Sequence, residues 1–161
     1  MVKLVIFDLD GVLIDSKEYH FEALNLALGK DYEISRKEHL AEYDGLPTIA
    51  KLNLLSERKG LSKNKFDHIW REKQKNTLKI FNESITKDYE LMQYFKQLVD
   101  EGYKLAVASN SIRNTVKIIL LRLGLLEFVD IYVSNEDVVR NKPYPEMYWK
   151  CMIALGALPQ D

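Results

Sequence analysis

Residues 4–16 read Leu-Val-Ile-Phe-Asp-Leu-Asp-Gly-Val-Leu-Ile-Asp-Ser, and the change of character at Asp8 decides how the rest of the chain is organised. Leu4 to Phe7 is a continuous apolar run, the pattern of a strand buried on both faces of a parallel sheet. Asp8 and Asp10 follow at once. Strand side chains alternate, so these two carboxylates face one way while Leu9 turns back into the protein. They stand at the carboxyl end of the strand, where open parallel sheets bind their ligands. At strand rise their Cα atoms lie about 6.5 Å apart. Carboxylates that close repel each other unless a cation lies with them. Magnesium, which takes carboxylate, phosphate and water oxygens, is the natural one. Gly11, directly after the pair, permits an unusual turn or a close backbone approach.

Outward from this stretch the pattern turns helical. Asp15 with Glu18 resembles a capping box, and Phe21, Leu24 and Leu28 follow at helical spacing until Gly29. Helical periodicity persists to about residue 85, punctuated at Gly45, Pro47 and Gly60, with no convincing strand. Within it, Lys63, Lys65, Arg71, Lys73, Lys75 and Lys79 alternate with Phe66, Ile69, Trp70 and Leu78, as in an amphipathic helix with a solvated basic face. Past residue 87 a helix carrying Leu91, Met92, Phe95, Leu98 and Val99 ends at Gly102, and a strand is predicted at Tyr103 to Ala108. Ser111 is placed to cap the next helix, which runs to Gly124; a third strand is predicted at Val129 to Val133. Pro145 opens a last helix whose buried face holds Met147, Tyr148, Cys151, Met152 and Leu155. Strands alternating with helices predict an α/β fold with a right-handed, Rossmann-like parallel sheet.

Composition narrows the function classes. The chain has 161 residues, 47% of them hydrophobic, enough for a packed core. Its 23 basic and 24 acidic residues leave a formal net charge of −1, so no overall field marks a nucleic-acid binder. The single cysteine, Cys151, excludes an internal disulfide framework and reads as an apolar filler. The apolar run at the start is too short for a signal peptide or a membrane span. The expectation is a soluble cytoplasmic protein with no membrane partner; nothing in the residues sets its oligomeric state.

The other strands also end in polar groups. Ser109 and Asn110 close the second strand just before a helix, and with the free amides of that helix's first turn they make a candidate anion site. After the third strand, Arg140-Asn-Lys-Pro puts Lys142 on a loop at the same sheet edge, stiffened by Pro143. A lysine is a compact charge able to neutralise phosphate oxygens and an aspartyl nucleophile. Carboxylates, hydroxyl and lysine on three successive strand ends form one set.

These motifs resemble the haloacid dehalogenase superfamily, in the branch with a helical cap inserted after the first strand. Phe7 to Ser16 matches the first motif of that family, Val107 to Ser111 resembles the second, and Asn141 to Glu146 the third. Glu18, Tyr19, His20 and Phe21 are similar to members related to β-phosphoglucomutase and phosphoglycolate phosphatase. The resemblance implies a core of residues 1–15 and 87–161 and a cap of residues 16–86. It implies a magnesium-dependent phosphatase acting on a small phosphorylated metabolite. Asp8 would attack phosphorus to give an aspartyl-phosphate, and Asp10 would act as acid and base. Ser109 would hold a phosphoryl oxygen, Lys142 would neutralise charge, and Asp8 and Asp10 would bind the magnesium. Gly11 and Asn110, and Gly45 and His20 from the cap, are candidate substrate contacts; His20 also reads as a core or helix-surface histidine. The cap would close over the substrate.

The chain departs from the family pattern in two ways. The fourth motif, an acidic pair completing the magnesium site, is missing, so the core is expected to be truncated at its C-terminus, with the first strand at a sheet edge; if the 161 residues are the whole chain, activity is expected to be weak. Around Gly45, where phosphosugar mutases carry basic residues for a second phosphate, the chain has Asp44, which would repel an anion. A phosphatase is therefore favoured over a mutase, and a degenerate member that binds without turnover is the third reading.

Overall fold

The computed structural model describes residues 3–160; Met1, Val2 and Asp161, included in the core by the sequence reading, lie outside the described residues. In chain order the elements are β1 (Lys3–Phe7), α1 (Lys17–Leu28), α2 (Arg36–Glu38), α3 (Thr48–Lys59), α4 (Phe66–Ser84), α5 (Tyr89–Asp100), β2 (Tyr103–Ala108), α6 (Arg113–Leu123), β3 (Ile131–Val133) and α7 (Glu146–Leu155). They divide into two compact units, one of residues up to Ser16 together with Phe81 onward, the other Lys17–Ile80.

The first unit is α/β. Its strands pair in parallel in the order β1-β2-β3, with β2 central and β1 at an edge among the described residues. Phe7 is opposite Val107, and Ala108 is opposite Val133, so all three strands stop at one level. The Ser109 amide extends the ladder by donating to the Val133 carbonyl at 3.0 Å. β2 is buried along its last four residues because helices cover both faces. Ala106 and Ala108 pack with Met147 and Cys151 of α7. On the other side Phe95 of α5 stacks on Phe7, ring centroids 4.7 Å apart. β3 is shorter than the predicted run from Val129 because Asp130 stops it. The Asp130 carboxylate accepts the Leu105 amide at 2.9 Å, and its own amide donates to the Leu105 carbonyl.

α1 starts at Lys17, and the hydroxyl of Ser16 just before it is turned to Asp10. One helix end corrects an expectation. At α6 the capping position is Ile112, which offers no side-chain bond, and the amide of Arg113 donates to the Glu136 carboxylate at 2.6 Å. The free amide expected there for an anion is thus occupied by Glu136, and Ser111 is released for another contact. Gly124 ends α6 at φ +80°, a left-handed conformation that favours glycine, and a Cβ there would displace the flexible end of the Met92 side chain.

The second unit is all helical and has its own core of Leu24, Leu28, Ile34, Tyr43, Leu52, Leu55, Leu61 and Ile69. The side-chain amide of Asn25 staples it, donating to the Ile34 carbonyl and accepting the Ile34 amide, both at 2.9 Å. No described helix is long and apolar enough to cross a membrane.

Candidate active site

The chemistry-bearing residues of the first unit converge where the strands end. Asp8 follows the last residue of β1, and its side chain is 42% exposed. Its Oδ1 accepts the Leu9 amide at 2.7 Å and the Lys142 ammonium at 2.7 Å. Oδ2 takes no hydrogen bond among the described residues. Leu9 is fully buried, as strand alternation requires. Gly11 then adopts φ +80° and donates its amide to the Ile14 carbonyl at 2.8 Å, while the amides of Leu13 and Ile14 converge on the Leu9 carbonyl. This tight turn, at a positive φ that favours glycine, ends the strand and holds Asp10 beside Asp8.

Asp10 has different surroundings. The Ser16 hydroxyl donates to its Oδ1, and the hydroxyls of Ser109 and Ser111 donate to its Oδ2 at 3.3 and 3.0 Å. The Ser109 oxygen also accepts the Ser111 amide at 3.0 Å. Asp8 therefore faces the Lys142 cation, and Asp10 gathers three hydroxyls. Two neighbouring aspartates are thereby divided into unlike environments, which suits them to unlike chemical tasks.

Lys142 reaches the site from the loop after β3. Its ammonium donates to the Ala108 carbonyl at 3.0 Å as well as to Asp8, and its side chain is 14% exposed. The Asn110 amide, expected in the anion site, is engaged at both ends with the Lys142 main chain. Glu146 braces the start of the same loop by accepting the amides of Val139 and Arg140 at 2.8 and 2.9 Å. Those two bonds hold its carboxyl below the usual range. Cys151 is buried against the sheet, and burial pushes its thiol up to about 11, which leaves it a core residue and no nucleophile.

A magnesium ion fits this donor set. Among the described residues no cluster of His, Cys, Asp and Glu side chains forms a cage for a metal. Magnesium does not need one, since it keeps several waters and takes one or two carboxylates with substrate phosphate. The Asp8 carboxylate, with Oδ2 uncommitted and open to solvent, supplies such an oxygen.

His20 and Gly45 belong to the second unit. His20 lies on α1, its Nδ1 3.3 Å from the Lys73 ammonium. Lys73 is 8% exposed, so it is not part of the solvated basic face that the helical pattern suggests. Gly45, at φ +71°, donates its amide to the Asp44 carboxylate at 3.0 Å. Asp44 in turn faces Lys17 at 3.6 Å and His39 at 3.8 Å, and the half-buried Lys51 also acts on it. Its charge is offset, and the repulsion of a second phosphate inferred from sequence is correspondingly reduced.

No ligand-like spacing marks His39 in the sequence. It is 2% exposed, its ring lies against Phe21 with centroids 4.7 Å apart, and its Nδ1 has no hydrogen-bond partner. Burial, reinforced by Lys51 and Arg36 and opposed by Asp44 and Glu18, holds its pKa below 6.5. The unfolded chain therefore takes up this proton first as pH falls. The stability associated with neutral His39 is fully present above pH 6.5 and declines below it. Thermal unfolding followed from pH 7.5 to 5 should show this decline in the wild type and a shallower one in His39→Phe; identical slopes would exclude His39 as its source.

Comparison with known proteins adds a family to this geometry. Residues 5–161 match the model of the haloacid dehalogenase-like hydrolases. The chain is similar to pyrophosphatase PpaX of Halalkalibacterium halodurans, 30% identical over 167 residues that cover 99% of this chain and 72% of that protein. It is similar to a phosphorylated carbohydrates phosphatase of Thermotoga maritima, 25% identical over 162 residues, with 99% and 73% covered. In fold it is similar to CbbY of Rhodobacter sphaeroides in complex with xylulose-(1,5)bisphosphate, at a TM-score of 0.82 and 21% identity, covering 99% of this chain and 75% of that one. The β-phosphoglucomutase of Clostridium difficile gives a TM-score of 0.74 at 24% identity, with 99% and 74% covered.

Proposed function

This chain belongs to the haloacid dehalogenase-like hydrolases, and from that premise we propose that it is a magnesium-dependent phosphatase that cleaves a small phosphorylated metabolite through an aspartyl-phosphate on Asp8. The observation that carries the reading is the unlike pairing of the two aspartates, Asp8 with the Lys142 ammonium at 2.7 Å and Asp10 with the hydroxyls of Ser16, Ser109 and Ser111. Relatives are named for pyrophosphate and for phosphorylated carbohydrates, and CbbY was solved with a sugar bisphosphate, all small phosphorylated compounds.

In the first half-reaction an oxygen of the Asp8 carboxylate forms a bond to phosphorus as the bond from phosphorus to the leaving oxygen breaks. Asp10 gives its proton to that leaving oxygen, and the freed alcohol departs. In the second half Asp10 takes a proton from a water, whose oxygen bonds to phosphorus while the Asp8–phosphorus bond breaks. Inorganic phosphate leaves and both aspartates are restored. Lys142 neutralises the charge that gathers on the phosphoryl oxygens, and the Ser109 hydroxyl, turning its one proton from Asp10 to the substrate, holds one of them. Magnesium, held by the Asp8 carboxylate and the Asp10 carbonyl, would supply further charge neutralisation when bound.

Release of inorganic phosphate from sugar monophosphates, phosphoglycolate, sugar bisphosphates and pyrophosphate, with magnesium and with excess chelator, tests the reading. Turnover of at least one of these with magnesium, lost on chelation and restored by added magnesium, is the expected result. Absence of phosphate release from all of them would overturn it. If phosphate stays on the substrate but changes position, the enzyme is a mutase, a reading that the offset charge of Asp44 keeps open.

A further inference from the structure

We infer that Asn110 is a positioning residue that fixes the Lys142 ammonium by holding the main chain of Lys142, and is not itself a ligand of the substrate. The inference rests on the phosphatase reading for its kinetic consequence, although the contact that carries it is independent of turnover. The Asn110 Nδ2 donates to the Lys142 carbonyl at 3.1 Å, and the Asn110 Oδ1 accepts the Lys142 amide at 3.0 Å. Both polar ends of one planar amide are thus used on one residue. Turning that amide over would set oxygen against oxygen and N–H against N–H, so the pair of bonds admits one orientation. Asn25 makes the same double contact with Ile34 in the helical unit, where it ties a loop to a helix.

The consequence for the lysine follows from where its two ends are held. Its main chain is fastened to Asn110, and its ammonium donates to the Ala108 carbonyl at 3.0 Å. Ala108 and Asn110 lie two residues apart where β2 ends, so this short stretch grips the lysine at backbone and tip together. The flexible four-carbon stem then has little freedom, and the ammonium stays on Asp8 Oδ1 at 2.7 Å. Glu146 holds the loop on its other side through the amides of Val139 and Arg140. Removing Asn110 frees the loop at Lys142 only. The stem regains rotamers, and a productive ammonium position becomes one among several.

The test is a double-mutant cycle with an exchange measurement on the folded protein. Asn110→Ala is expected to lower kcat about tenfold with little change in KM, because a misplaced charge costs transition-state stabilisation more than binding. In a Lys142→Ala background the same substitution should cost less than about twofold, since the group through which it acts is gone. Hydrogen exchange of the Lys142 amide, read by NMR, should quicken at least about tenfold in Asn110→Ala, while Val139 and Arg140 stay as protected as in the wild type. Asn110 is exposed, so the variant should fold. An equal cost in both backgrounds would overturn the inference and make Asn110 a direct substrate ligand. Unchanged exchange at Lys142 would overturn it as well. Should the wild type release no phosphate from any substrate, the phosphatase reading fails and the exchange result alone decides the role of Asn110.

Discussion

Replacing Asp8 with Asn is expected to lower phosphate release by on the order of ten-thousand-fold or more while leaving the fold intact. The carboxamide is nearly the same size and can still accept the Leu9 amide, so the turn at the end of β1 has no reason to change. What disappears is the negative charge and with it the nucleophile, since an amide oxygen forms no stable acyl phosphate under these conditions. Stability should move little. Asp8 is 42% exposed while Lys142 is 14% exposed, and the ammonium keeps the Ala108 carbonyl at 3.0 Å when the charge on Asp8 is removed, so the loss is held to about 1 kcal/mol. In a chain of this length that corresponds to a midpoint shift of roughly 4 °C at most.

Three measurements separate the nucleophile from a purely electrostatic role. Phosphate release gives the rate, thermal unfolding gives the fold, and acid quenching of enzyme turning over a labelled substrate reports the covalent intermediate. Wild-type protein should retain label that hydroxylamine removes, and Asp8→Asn should retain none. A variant that kept about a hundredth of wild-type turnover would exclude Asp8 as the attacking group, because loss of a covalent nucleophile costs far more.

The part of this site that strand periodicity encodes was legible in the sequence. Apolar runs ending in Asp8, Ser109 and, after a loop, Lys142 announce one sheet edge, because a parallel sheet brings successive strand ends to one level whatever lies between them. The α/β fold was legible for the same reason, and the family from the resemblance of three motifs at those strand ends. Contacts between residues that no period relates were not. Ser16 and Ser111 both looked like or lay beside helix caps, and the structure turns their hydroxyls to Asp10. The expected cap at Ser111 gave way to Glu136, which arrives from the turn after β3 and occupies the Arg113 amide. Lys73 carried a helix-face pattern of exposure, yet it is buried with its ammonium 3.3 Å from His20 Nδ1, a contact the pattern does not record. Asp44 read as an isolated charge because Lys17 is remote from it in the chain and Lys51, seven positions on, stands across the turn at Pro47. Side-chain partners set by tertiary packing, unlike periodicities, leave no local signal.

Lys142→Ala is expected to reduce kcat by roughly a hundred- to a thousand-fold, and Lys142→Arg to recover little of that loss. An ammonium has three donors. Two are already assigned, one to the Ala108 carbonyl at 3.0 Å and one to Asp8 Oδ1 at 2.7 Å, which leaves the third for a phosphoryl oxygen. The charge thus stands between nucleophile and phosphate, where negative charge accumulates only as the reaction proceeds, so its removal should appear in kcat more than in KM. Arginine keeps the charge but spreads it over a planar fork, and that fork cannot occupy the point between a backbone carbonyl and a carboxylate that a compact ammonium fills. Folding should survive, because Asp8 without its partner is still reached by water. Steady-state kinetics of the two variants, with unfolding midpoints as the control, decide the matter. Full activity in Lys142→Arg would show that net charge alone suffices. A raised KM at unchanged kcat in Lys142→Ala would make the lysine a ground-state anchor for the phosphate, with no part in the chemical step.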